Sequence, residues 1–164
     1  MIEQVLNRRN VMRAYKQVRA NKGSAGVDGM SVYELYNYLT NNRERIETEL
    51  RQGKYLPQPI LGVSIPKSNG KTRLLGIPIA VDRVLQQAVA QVIVTKFEME
   101  FEDYSYGFRP NRNAQQAVLK AQEYINSGYN HIVDIDLKSF FDEVDHCILL
   151  QLFLSLTPKP PSIL

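Results

Sequence analysis

The sequence predicts an α+β fold in which helices at both ends of the chain are packed on a small sheet. Three observations predict it. Apolar residues recur at helical spacing before and after the middle of the chain. Two β-type runs, 61–65 and 71–75, flank Ser68-Asn69-Gly70, and a third β-type run occupies residues 131–137.

The helix at the start, residues 1 to about 20, has Val11, Ala14, Tyr15 and Val18 on one side. Around that side Arg8, Arg9, Arg13, Lys16, Arg19 and Lys22 are set against one acid, Glu3, in the same stretch. Such a basic segment suits contact with nucleic-acid phosphates, and it equally suits a solvated helix face. Next comes Asn21-Lys-Gly-Ser-Ala-Gly-Val-Asp-Gly29, whose three glycines in nine residues require a loop. No strand precedes it, which argues against a nucleotide-binding loop of the strand-to-helix kind. Ser31 and Glu34 form a capping box for the following helix, with Met30 and Leu35 as its hydrophobic staple. That helix is expected to break near Asn41-Asn42 and to stop at Gly53.

Prolines extend Tyr55-Leu-Pro-Gln-Pro59, and the hairpin of residues 61 to 75 follows. Its tip is basic: Lys71 and Arg73 alternate onto one face with Lys67 across the turn. Cations there either bind an anion or discourage unwanted strand pairing. Asp82 is placed to cap a helix reaching about Phe101, with Val84, Leu85, Ala88, Val89, Val92, Ile93 and Phe97 as its core stripe. A loop with aromatics and Arg109 leads to a helix capped by Asn113. Its Ala114, Ala117, Val118, Ala121 and Ile125 are expected inward, and Gly128 ends it. Asp145 caps a last helix carrying Ile148, Leu149, Leu152 and Phe153. The run from Ser155 to Leu164, with three prolines and no periodicity, reads as an unstructured tail.

At 164 residues, with 44% hydrophobic and 23% charged content, the chain can build a real core and is not disordered by composition. No run approaches the roughly 20 apolar residues of a membrane span, and the polar start lacks a secretory layout. A cytoplasmic protein with no membrane partner is the expectation. Cys147 is the only cysteine, which excludes an intramolecular disulfide and a cysteine-based zinc cluster. Opening an apolar helix, it is expected to pack.

The densest chemistry lies in residues 131–146. On a strand, Val133, Ile135 and Leu137 would share one face and Asp134 and Asp136 the other, with the two carboxylates about 7 Å apart. Like charges so close repel unless a cation lies near, and hard oxygen donors suit Mg²⁺ held together with substrate phosphates. Asp-x-Asp alone also fits a solvated edge strand, or a sugar-nucleotide transferase. Phe140 and Phe141 follow at the strand end, where they could pack in a core or wall a nucleotide pocket.

Taken together, these motifs resemble the N-terminal part of a group II intron-encoded reverse transcriptase and maturase. The glycine-rich stretch from Asn21 to Gly29 resembles the family's opening block. Ile65-Pro-Lys, Arg73-Leu-Leu-Gly-Ile-Pro78 and Asp82-Arg-Val-Leu-Gln-Gln87 resemble its fingers. Ser105-Tyr-Gly-Phe-Arg-Pro110 resembles the next block, and Asp136-Leu-Lys-Ser-Phe-Phe-Asp142 the first palm carboxylate motif. The resemblance covers residues 1 to about 154.

It implies reverse-transcriptase fingers with a basic β-hairpin and a partial palm. The implied layout is an N-terminal extension and fingers over residues 1–130, a partial palm over 131–154 and a tail over 155–164. By resemblance, Asp136 would bind the catalytic Mg²⁺ ions with help from the backbone carbonyl of Leu137. Lys67 and Arg73 would hold the incoming deoxynucleotide triphosphate, and Phe141 would lie under its sugar to reject a ribose 2′-OH. An acid at the place of Asp134 is common in the family without being its invariant ligand. The implied partners are intron RNA, an RNA template and a DNA primer. Arg8, Arg9, Arg13, Lys16, Arg19 and Lys22 are the expected nucleic-acid contacts, and Arg109 is assigned either to nucleic acid or to structure. The departure from the family is the absence of an adjacent Asp-Asp pair and of its Tyr-x-Asp-Asp turn. That departure suggests a shortened chain, a disrupted reading frame or a degraded gene copy, and it implies that this chain alone does not polymerise DNA. An RNA-binding module without catalysis is the alternative, and an unfinished sheet also allows oligomers.

Overall fold

The computed structural model describes residues 1–66, 70 and 72–155. The chain forms two compact units, Met1–Gln116 and Ala117–Leu164. Its regular elements are predominantly helical, with one two-stranded antiparallel sheet among the described residues, an α+β composition.

In the first unit the opening helical stretch divides at Asn7 into α1 (Ile2–Leu6) and α2 (Arg8–Ala20). Asn7 is extended, and its side-chain oxygen accepts a hydrogen bond from the Arg9 N–H at 2.9 Å, so it ends one helix and caps the next. The break near Asn42 is present, between α3 (Leu35–Asn41) and α4 (Arg43–Arg51), and Gly53 stops α4 with φ of 65°. Ahead of α3 the Glu34 carboxylate accepts from both the hydroxyl (2.7 Å) and the N–H (2.9 Å) of Ser31. These bonds, the hydroxyl first, hold the Glu34 carboxyl below the usual carboxylate range.

The hairpin forms as expected: β1 (Leu61–Pro66) pairs antiparallel with β2 (Thr72–Ile77), Leu61 opposite Ile77 and Ile65 opposite Arg73. Nearly all of both strands is exposed. The expected packing of helices on the sheet is therefore corrected, because the buried core is helix against helix. It joins Val5, Ala14, Tyr15, Val18, Leu35, Ile46, Val84 and Ala88, with α2 laid chiefly along α5 (Ala80–Phe97). Burying apolar faces against one another drives this arrangement.

Three details of α5 differ from the sequence reading. The helix begins at Ala80 with extended Ile79 as its cap, so Asp82 sits inside the first turn rather than capping it. It ends at Phe97 in a short 3-10 turn, Glu98–Glu100, and Val89 lies outside the buried stripe, which follows Ala80, Val81, Val84 and Ala88.

Asp82 is 3% exposed, and its carboxylate accepts from the Tyr55 hydroxyl at 2.6 Å and the Gln58 N–H at 3.0 Å. It fastens the extended segment before the hairpin to α5. The glycine-rich loop fastens to the same helix end. A Cβ on Gly26 would lie 2.8 Å from both the N and Cα of Ile79, and an Arg83 Nη donates to the Ser24 carbonyl at 2.7 Å. Backbone atoms cannot step aside as a side-chain tip can. Gly26→Ala is therefore expected to cost about 1–3 kcal/mol through overpacking, measured as a lowered denaturation midpoint; an unchanged midpoint would show that the loop relaxes freely.

α6 (Ala114–Asn126) starts in the first unit, runs on into the second, and carries the expected cap. Asn113 accepts from the Gln116 N–H at 2.9 Å, and the Gln116 side chain accepts from the Asn113 N–H at 3.0 Å. Gly128 ends the helix with φ of 96°. Asp145 caps α8 (His146–Ser155), accepting from the N–H groups of Cys147 (2.8 Å) and Ile148 (3.1 Å). Between them lie a segment without regular structure and the short α7 (Phe140–Glu143), entered through Ser139 at φ of 51°.

The faces expected inward here are not buried. Val118, Ile125, Ile148, Leu149 and Leu152 are all at least half exposed, and Cys147 is exposed rather than packed. Residues 131–137 form no strand, which corrects the expected palm strand. A strand exists only with a neighbour to exchange backbone hydrogen bonds, and the one sheet among the described residues pairs β1 with β2 alone. The expected tail lies outside the described residues beyond Ser155.

Candidate functional site

Four groups of side chains were singled out by sequence, and the fold treats them differently. The first is the basic face of α2. Arg8, Arg9, Arg13, Lys16, Arg19 and Lys22 are all exposed, since the buried side of the helix is taken by Ala14, Tyr15 and Val18. Glu3, the acid of that stretch, pairs instead with Arg51. Among the described residues Arg8, Arg9, Arg13 and Lys16 form no ion pair. Their charge is thus uncompensated locally.

Arg9 and Arg13, one helical turn apart, also line a polar hollow of about 480 Å³ between α2 and α5, to which α5 adds Thr95 and Lys96. Asn10 fixes the registry of its walls. Its side-chain amide donates to the carbonyls of Val5 and Ala88, both at 2.9 Å, and its oxygen accepts from Gln91 at 2.9 Å. Lys96 and Thr95 were not singled out in the sequence. They sit at the exposed end of an apolar helix, and only the packing of α2 along α5 brings them beside the arginines.

The second group is the hairpin. Arg73 is exposed on β2 opposite Ile65, while Lys67 and Lys71 lie outside the described residues. The third is the loop around Arg109, where the guanidinium is used internally. Its side chain is 7% exposed, pairs with Glu98 at 2.8 Å, donates to the carbonyls of Glu102 (2.7 Å) and Ser105 (3.0 Å), and lies over the Phe101 ring. A planar fork with this many donors suits such a hub.

The fourth group is the carboxylate segment. Asp134 and Asp136 are exposed, as are Leu137, at 64%, and Phe141, at 87%. Phe141 meets Phe140 edge to face, with ring centroids 5.4 Å apart. Carboxylates and a carbonyl are the hard oxygen donors that Mg²⁺ takes. Among the described residues, however, no three acids, histidines or cysteines gather where they could hold a metal ion. The donors are thus right in kind and short in number, and no reaction step follows from them alone. No helix among the described residues is long and apolar enough to cross a membrane.

Comparison with known proteins bears on this arrangement. The family profile described as reverse transcriptase (RNA-dependent DNA polymerase) matches residues 65–164, a span that holds Arg73, Arg109, Asp136 and Phe141. Protein YkfC of Escherichia coli is 37% identical over 130 residues, 77% of this chain and 34% of its own length. The group II intron-encoded protein LtrA of Lactococcus lactis is 36% identical over 140 residues, 85% of this chain and 23% of its own. The putative COX1/OXI3 intron 1 protein of Saccharomyces cerevisiae is 28% identical over 148 residues, 86% of this chain and 17% of its own. The chain thus spans about a third or less of the relatives it matches.

Proposed function

The chain belongs to the reverse transcriptase (RNA-dependent DNA polymerase) family, with a group II intron-encoded protein among its relatives, and from that premise we propose that it is the fingers and partial palm of such a polymerase. In this reading residues 1–130 are the N-terminal extension and fingers, 131–154 the partial palm, and 155–164 a tail. The observation that carries the proposal is the family match over residues 65–164, which includes the carboxylate motif at Asp136.

Asp136 and the Leu137 carbonyl are the proposed Mg²⁺ donors. The ion, when bound, would neutralise charge on a triphosphate and on the attacking oxygen. Arg73, exposed and positive, is proposed to meet the triphosphate, as is Lys67. Phe141, exposed and bulky, is proposed as the surface under the sugar. Arg109 supports the loop it holds. The partners are intron RNA, template and primer.

A second reading, an RNA-binding module without catalysis, draws on the uncompensated basic face of α2. Both readings require RNA binding that weakens as salt rises. Replacing Arg8, Arg9, Arg13, Lys16 and Arg19 by Ala is expected to weaken RNA binding and to flatten the plot of log affinity against log salt. The slope should change by up to about 3.5 if all five meet single-strand phosphates. The slope in a filter-binding titration decides it, and an unchanged slope would make α2 a solvated face.

A further inference from the structure

The flank of α2 that meets α3 and α4 encloses a second hollow, of about 190 Å³, different in chemistry from the polar one beside α5. Its lining is largely apolar and includes Met12, Leu39 and Ile46. One wall is aromatic. Tyr15 is buried and Tyr36 half exposed, with ring centroids 5.6 Å apart and planes at 52°. Tyr36 is thus held in place by Tyr15 while part of its ring stays open to a ligand. At the rim are Arg8, which has no ion pair among the described residues, and Glu47, whose carboxylate is held by Arg43 at 2.6 Å. An apolar slot with one held aromatic wall and a polar, charged rim matches a flat ring with a polar edge and an anionic group attached.

We propose that this hollow receives one unstacked base of a single-stranded RNA, stacked on Tyr36, with Arg8 meeting the adjoining phosphate. The inference rests on the reading of the chain as RNA-binding. Charge complementarity favours RNA over an apolar protein segment, because the exposed cations of α2 continue from the rim and an alkyl side chain would leave Arg8 without a partner. A base within a duplex is covered by its neighbours and cannot enter. A base splayed from a loop can, and proteins commonly take such bases on aromatic side chains.

The test measures binding of the full chain to an RNA hairpin carrying a fluorescent purine analogue in its unpaired loop, with a loop-free duplex as control. Tyr36→Ala is expected to weaken loop binding about 5- to 150-fold, with the salt slope and duplex affinity unchanged. Tyr36→Phe, which keeps the ring, should stay within about twofold of the parent. Thr40→Trp, at the exposed edge of the hollow, covers its mouth and should weaken loop binding in the same sense, which guards against a folding defect peculiar to one variant. Equal loop affinity in Tyr36→Ala, Thr40→Trp and the parent overturns the inference while leaving RNA binding itself intact. So does equal loss for loop and duplex, and so does a Tyr36-dependent affinity for an apolar peptide with none for the loop. If the parent binds neither RNA, the RNA-binding reading fails and the inference with it.

Discussion

Asp82→Ala is expected to lower the stability of the first unit by about 2–4 kcal/mol, because it removes a buried carboxylate that satisfies two donors and leaves both without a partner. For a chain of this size that corresponds to a fall of roughly 5–15 °C in Tm. Asp82→Asn keeps an acceptor and should lose less. The same site predicts a pH dependence. Burial first, and then the hydrogen bond to Asp82, push the Tyr55 phenol above its ordinary value. The fold needs that phenol protonated. Its contribution is therefore complete below the ordinary phenol value of about 10 and is lost as pH rises from there through the raised folded value. Denaturation midpoints of the parent and Tyr55→Phe across that alkaline range check it: the variant should lose the part of the slope due to this group. Equal slopes would place the phenol outside the linkage.

Asp136→Ala, made in a chain extended through the downstream palm segment, is expected to bring primer extension on an RNA template to background. The fall should exceed the 10- to 100-fold that typically follows loss of a group merely supporting a metal ligand. Because Asp136 is exposed, its replacement should leave thermal stability within about 0.5 kcal/mol, so lost activity cannot be ascribed to unfolding. The 164-residue chain, whose sequence holds no Tyr-x-Asp-Asp turn, is expected to give no extension. Extension by that chain which vanished with Asp136→Ala would show that fewer donors suffice; extension by the longer chain that survived the substitution would remove Asp136 from the metal site.

Local sequence determined much of this protein. Asn113 and Asp145 bind helix termini, and Glu34 takes the Ser31 N–H just ahead of α3, through side chains only a few residues from the N–H groups they satisfy, so those bonds are written in nearby positions. Gly53 and Gly128 stop helices by their own left-handed conformation, and the β1–β2 hairpin follows from two β-type runs joined by a short turn. Family membership was legible for the same reason, in ordered motifs such as the one from Asp136 to Asp142.

Tertiary structure alone decided the rest. Asp82 has the residue type and position of a cap, yet its partners, Tyr55 and Gln58, lie 27 and 24 residues earlier, a distance that no helical periodicity reaches. Arg109 became a structural hub because Glu98 and two loop carbonyls converge on it. Lys96 joins Arg9 and Arg13, and Tyr36 joins Tyr15, only when helices distant in sequence pack. The apolar periods of α6 and α8 and the alternation at residues 131–137 are plain in the sequence, but periodicity specifies that a face is apolar and never supplies the surface that buries it. A strand likewise needs a neighbour, and side chains with no opposing layer stay exposed however regularly they recur.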